Sequence, residues 1–173
     1  VAAGNYTYTV SDANGCTTTT TINVAQPTLL VANSAVTSSI ACNGGNAIIT
    51  VSATGGTGAY TGTGTFTVAA GNYTYTVSDA NGCTKTTTIN VAQPTLLVAS
   101  SAVTSSIACN GGNAVVTVSA TGGTGSYTGT GTFTVAAGNY TYTVSDANGC
   151  TTTTTINVSQ PTRLVASSAV TST

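Results

Sequence analysis

The chain is built from copies of itself. Val1-Ala-Ala-Gly-Asn-Tyr-Thr-Tyr-Thr-Val-Ser-Asp-Ala-Asn-Gly-Cys16 recurs unchanged at residues 68–83 and 135–150, which sets a period of 67 residues. Pro27, Pro94 and Pro161 hold one phase, each inside Gln-Pro-Thr. The complete copies 28–94 and 95–161 differ at six positions, among them Asn33/Ser100, Ile48/Val115, Ile49/Val116 and Lys85/Thr152. The large apolar positions exchange only Ile for Val, which is what a packed core permits. Solenoid repeats run about 20–50 residues and stack on their neighbours. A 67-residue unit with its own strands is instead expected to be a small domain, near the lower size limit for folding alone.

Pro lacks a backbone donor and restricts the residue before it, so the Gln-Pro-Thr segments are the natural boundaries. In that phasing, residues 1–27 are the C-terminal part of one module, 28–94 and 95–161 are complete modules, and 162–173 open a further one. The pattern starts in mid-repeat at Val1, and the full protein is expected to be longer.

The class is all-β. Thr supplies about a quarter of the residues, and its branched Cβ, like that of Val, suits a pleated surface. Glu and Met are absent, and no stretch places apolar residues at i, i+3, i+4 and i+7. Residues 72–78 alternate Tyr73, Tyr75 and Val77 with Thr74, Thr76 and Ser78, and residues 79–82 read as a turn with Gly82 at positive φ. Residues 84–92 return as its partner, with Ile89 and Val91 inward. Residues 47–54 form a third strand, with Ile49, Val51 and Ala53 on one face, and 96–103 open the next module. Short strands are expected around Tyr60 and Phe66, between Gly-rich turns. Six or seven short strands at this spacing suggest tandem immunoglobulin-like sandwich modules.

Cysteines stand at 16, 42, 83, 109 and 150, with gaps alternating between 26 and 41. Two regular pairings exist. Cys42–Cys83 with Cys109–Cys150 closes a bridge inside each module and leaves Cys16 alone. Cys16–Cys42 with Cys83–Cys109 would staple neighbours and leave Cys150 alone. The first is expected, because so small a module needs internal reinforcement, worth roughly 4 kcal/mol on the chain-entropy model. Regular cysteine use points to an oxidising, extracellular setting. A zinc site is not expected, since the chain has no His and no CxxC pair.

Charge excludes several function classes. Lys85 and Arg163 are the only cationic side chains, too few to neutralise the phosphates of a nucleic-acid site. Asp12, Asp79 and Asp146 are the only carboxylates, one per repeat in the same turn. General acid–base or glycosidase chemistry needs a second titrating partner, and Ser or Thr nucleophiles lack a base. The Asp reads as a cap on its own turn. A calcium site using Asp79, Asn81 and carbonyls would be short of oxygen ligands. Thr54-Gly-Gly-Thr-Gly58 lacks the Gly-Lys-Ser/Thr ending of a phosphate loop. No catalysis, cofactor or metal is expected, and no apolar run is long enough to span a bilayer. Asn5, Asn72 and Asn139 each open an Asn-Tyr-Thr glycosylation acceptor pattern. The Thr-x-Thr runs at 61–67 and 17–21 read as solvated strand faces, or as hydroxyl–methyl grids suited to ordering water or ice.

Cys42-Asn-Gly-Gly, Thr54-Gly-Gly-Thr-Gly-Ala-Tyr60, residues 70–84 and Ile89-Asn-Val-Ala-Gln-Pro94 together resemble the SprB-type repeat of large gliding-motility adhesins and other surface proteins of Bacteroidota. The resemblance extends over every module. It implies an immunoglobulin-like module, export to the cell surface and a place in extended adhesive filaments. Repeats of that type often carry a Pro before the Tyr and a Trp after it. Here Ala59 or Ser126 precedes Tyr60 or Tyr127, and Thr-Gly-Thr-Gly follows. The leading expectation is therefore a non-catalytic stalk or filament region, whose partners are neighbouring modules and other copies in a fibre. The alternatives are a glycan- or surface-binding module, with Tyr60 and Tyr127 as contacts, and an ice-binding surface.

Overall fold

A computed structural model describes residues 1–170. Among them the chain forms twelve strands and no helix: β1 Gly4–Ser11, β2 Thr17–Val24, β3 Thr28–Ser38, β4 Ala47–Gly56, β5 Gly64–Val68, β6 Gly71–Ser78, β7 Thr84–Val91, β8 Thr95–Ser105, β9 Ala114–Gly123, β10 Gly131–Val135, β11 Gly138–Ser145 and β12 Thr151–Val158. The strands assemble into small antiparallel sheets. Hairpins β1–β2, β6–β7 and β11–β12 stand as pairs, and β3–β4–β5 and β8–β9–β10 form three-stranded sheets with β4 or β9 central. The expected strand around Tyr60 is not formed. Gly58 and Gly62 take left-handed φ of 72° and 79°, which interrupts extended backbone, and only a single bridge, Thr61 to Ser78, remains there.

Two compact units emerge. One comprises Val1–Thr37, Ile48–Phe66 and Asn72–Asn90; the other comprises Ser38–Ala47, Thr67–Gly71 and the chain from Val91 onward. In the second unit, Ala114, Val116 and Val118 of β9, Val144 of β11, Val158 of β12 and Ile107 bury together. The period-two alternation puts these side chains on one face of each strand, so the three-stranded sheet and the hairpin enclose one core. The Phe133 and Tyr142 rings lie 4.7 Å apart at its side, a separation typical of favourable aromatic pairs. The Tyr142 hydroxyl is buried without a hydrogen-bond partner. In the first unit, Leu30, Ile49, Val51 and Val77 are buried. The faces assigned to Val77, Ile49 and Val51 from alternation are the faces they occupy.

Hairpins β1–β2 and β11–β12 share one register. Gly4 pairs with Val24 and Ser11 with Thr17, as Gly138 pairs with Val158 and Ser145 with Thr151. Burial differs sharply among the three hairpins. Val10 on β1 is 63% exposed, whereas Val77 and Val144 at the same position in the repeat are fully buried. A hairpin thus forms its ladder from its own turn and strands, and the three-stranded sheet supplies the burial.

Candidate functional site: the bridged repeat boundary

Each hairpin turn is organised by its Asp. Asp79 donates its N–H to Cys83 O and accepts Gly82 N–H at its carbonyl, both at 3.0 Å. Gly82 meets the left-handed φ this turn requires, at 79°. The Asp79 carboxylate then gathers three backbone donors. Oδ1 accepts from Asn81 and Cys83 at 3.0 and 2.9 Å, and Oδ2 accepts from Thr57, just beyond β4, at 2.9 Å. Asp146 repeats this with Asn148, Cys150 and Thr124, all at 2.9 Å. Both side chains are buried. Burial alone would raise the pKa of each, yet the converging N–H groups outweigh it and hold both carboxyls below their ordinary value. The Asp does more than cap its turn: it fastens the turn to the end of the central strand. An oxygen cage for calcium is the wrong description of a carboxylate ringed by N–H donors. Gly56 makes the approach possible, since a Cβ there would sit 2.7 Å from Asp79 Oδ2.

This fastening decides the disulfides. Cys150 closes the turn held at Thr124, after β9, whereas Cys109 lies in the loop before β9 begins. A ten-residue strand, about 33 Å of extended chain, stands between them. A disulfide needs Cα atoms within about 7 Å. The same reasoning applies to Cys42, before β4, and Cys83, in the turn held at Thr57 after it. The expected bridges Cys42–Cys83 and Cys109–Cys150 are therefore corrected. The bridge formed is Cys42–Cys150, with Cα atoms 5.6 Å apart and a sequence separation of 108. Cys16, Cys83 and Cys109 are exposed thiols, so the alternative pairing of neighbours is not formed either.

The bridge has a built seat. Asn43 Nδ2 donates to Pro94 O at 2.9 Å, and the Gln93 side chain accepts the Gly44 N–H at 2.8 Å. Asn148 Nδ2, from the partner turn, donates to Ala41 O at 3.0 Å. A cleft beside the disulfide is lined by Asn43, Leu96, Leu97, Thr151 and Thr152. Cys42 belongs to repeat 28–94 and Cys150 to repeat 95–161, so the bond crosses the Gln-Pro-Thr boundary. The loop after β8 has the same posture. Asn110 Nδ2 donates to Pro161 O, and Gln160 accepts the Gly111 N–H, at 2.9 and 2.8 Å.

The other candidates are more ordinary. Tyr60 and Tyr127 are partly buried and donate their hydroxyls to Gly55 O and Gly122 O, at 2.6 and 2.7 Å, which closes the Gly-rich loops. The Thr run at 61–67 is extended only from Gly64 onward. The regular polar face lies on the hairpins. On β11–β12, Asn139, Thr141 and Thr143 stand exposed opposite Asn157, Thr155 and Thr153, with the Asn157 amide donating to Asn139 at 2.6 Å. Asn72 accepts likewise from Asn90. No family model matches the chain, and no curated protein is similar to it.

Proposed function

We propose that this chain is a non-catalytic repeat region of a secreted bacterial surface filament or adhesin stalk, made of tandem immunoglobulin-like sandwich modules of the SprB-repeat kind. The observation that carries the reading is the Cys42–Cys150 bond across the repeat boundary. The bond joins two successive sequence repeats inside one compact unit, so the chain crossing the repeat boundary there resists being drawn out by tension or released by proteolysis. A disulfide also suits an oxidising compartment outside the cell. The scarcity of charge and the absence of any acid–base pair support a structural role, and the near-identity of repeats suits a part whose length matters more than any one site. The shared core between a three-stranded sheet and a hairpin supports the sandwich assignment. Immunogold labelling of intact source cells with antibody against the purified chain tests the proposal. Gold along surface fibres is expected, and label confined to the cell interior would overturn it.

A second reading, adhesion through the module faces, draws on the uncharged Asn and Thr columns of β6–β7 and β11–β12. The same six-residue groove, at Asn72, Tyr73, Thr74, Thr88, Ile89 and Asn90, recurs at the equivalent positions of the next repeat. Glycan-array binding favours this reading, and thermal hysteresis would favour an ice surface instead.

A further inference from the structure

We infer that Cys109 is a bonding site for the cysteine of an Asp-Ala-Asn-Gly-Cys turn on another copy of the repeat, and that Cys83 is the reciprocal site for a Cys-Asn-Gly-Gly loop. The inference goes beyond the proposed role and holds whatever that role proves to be. Its first support is the bond already formed: Cys42 and Cys150 occupy these two positions of the repeat and are joined. Its second is independent of any sulfur. The loop carrying Cys109 is posed as the loop carrying Cys42 is, with Asn110 on Pro161 and Gly111 on Gln160, so the seat exists before the partner arrives. The Cys83 turn is likewise set by Asp79, with the same three donors that Asp146 gathers around the Cys150 turn. Both thiols are exposed. Among the five cysteines only Cys42 and Cys150 are separated by 108 residues, and that one pair is bonded.

The chemistry balances with a small-molecule disulfide as oxidant. The Cys109 thiolate attacks glutathione disulfide, releasing one glutathione and leaving a mixed disulfide. The turn thiolate then attacks the protein sulfur of that mixed disulfide, displacing the second glutathione and closing the bridge. Two protein thiols are oxidised and one glutathione disulfide is reduced to two thiols. Repeated at each boundary, the bonds form a ladder in which every repeat is tied to both neighbours and none is tied to itself.

The test counts thiols. In the 173-residue chain, alkylation after equilibration with glutathione disulfide and an excess of reduced glutathione, which returns unpartnered mixed disulfides to thiols, should find the three thiols of Cys16, Cys83 and Cys109. A chain lengthened by a second copy of residues 95–161 after Pro161 gains two cysteines, yet its count should stay at three, with Cys109 mapped to the inserted turn. Within-repeat pairing would instead leave Cys16 alone free, which overturns the inference. Cys109→Ser should lower the count by one in the 173-residue chain and raise it by one in the lengthened chain, and a fall in both would also overturn it. The 173-residue chain alone separates the two sources of a partner. Multimers joined specifically through Cys109 and Cys83 would assign the site to a second polypeptide, and monomers with the lengthened chain bridged assign it to the next repeat. Cys16 closes the same Asp-Ala-Asn-Gly-Cys turn and would count with Cys83 as a partner, whereas multimers joined through like positions, Cys109 to Cys109 or Cys83 to Cys83 or Cys16, would overturn the inference.

Discussion

Breaking the Cys42–Cys150 bond, by reduction or by Cys42→Ser, has two calculable consequences. The bond closes a loop of 108 residues, and on the chain-entropy model releasing so long a loop in the unfolded chain costs about 5 kcal/mol of stability at 25 °C. That is a large share of the roughly 5–15 kcal/mol by which a domain is stable. The second consequence is length. Under tension between the chain ends, the closed bridge replaces 108 residues by a 5.6 Å link, and reduction frees about 390 Å of extended chain. Guanidinium unfolding with and without reductant measures the first quantity, and single-molecule extension of the same protein measures the second. A reductant-dependent loss of several kcal/mol, absent in Cys42→Ser, is expected, together with one contour gain near 390 Å. Two gains of roughly 150 Å each would refute the argument, since that is what bridges spanning the 41-residue gaps would release.

Three further outcomes follow from the same structure. Val144→Ala should cost about 2 kcal/mol because its side chain is fully buried, while Val10→Ala, at the same position of the repeat but 63% exposed, should cost almost nothing; chemical denaturation of the two variants compares them. Asp79 and Asp146 have depressed folded pKa values, so their contribution to stability is fully present above the ordinary carboxyl value of about 3.9 and is lost as pH falls through the lower folded value. Acid titration followed by circular dichroism should show that loss, and Asp79→Asn should remove the part belonging to its own turn. Tyr142→Phe deletes a buried hydroxyl that has no partner and should leave stability unchanged or raise it by up to about 1 kcal/mol, measured as a shift in thermal midpoint.

The strand pattern was legible because it is local. Alternation in residues 72–78 placed Val77 on the core face, and Asp79 with Gly82 announced the turn. The disulfide was not legible from spacing, because proximity in sequence says nothing about which end of a sheet a residue reaches. Three strands, β4, β5 and β6, stand between Cys42 and Cys83. An odd number of antiparallel passes leaves the two cysteines at opposite ends, whereas the extra strand expected around Tyr60 made the count even and placed them together. Asn43 and Gln93 gave no warning either, since a side chain reaching a backbone carbonyl or N–H some fifty residues away leaves no periodic mark. Tyr60 suggested a strand through its aromatic propensity, and the glycines around it overruled that preference.

The near-identical sequence of the three hairpins raises a problem of self-recognition. Parts with interchangeable sequences carry no code telling a sheet which hairpin to accept, so selection has to come from the tether. Residues 136–137 alone join β10 to β11, and 69–70 alone join β5 to β6. A connection that short gives the adjoining hairpin an effective concentration in the millimolar range or above, beyond what a distant copy achieves. Correct assembly of a long array therefore depends on two-residue connections, and lengthening one with flexible residues would let copies trade hairpins.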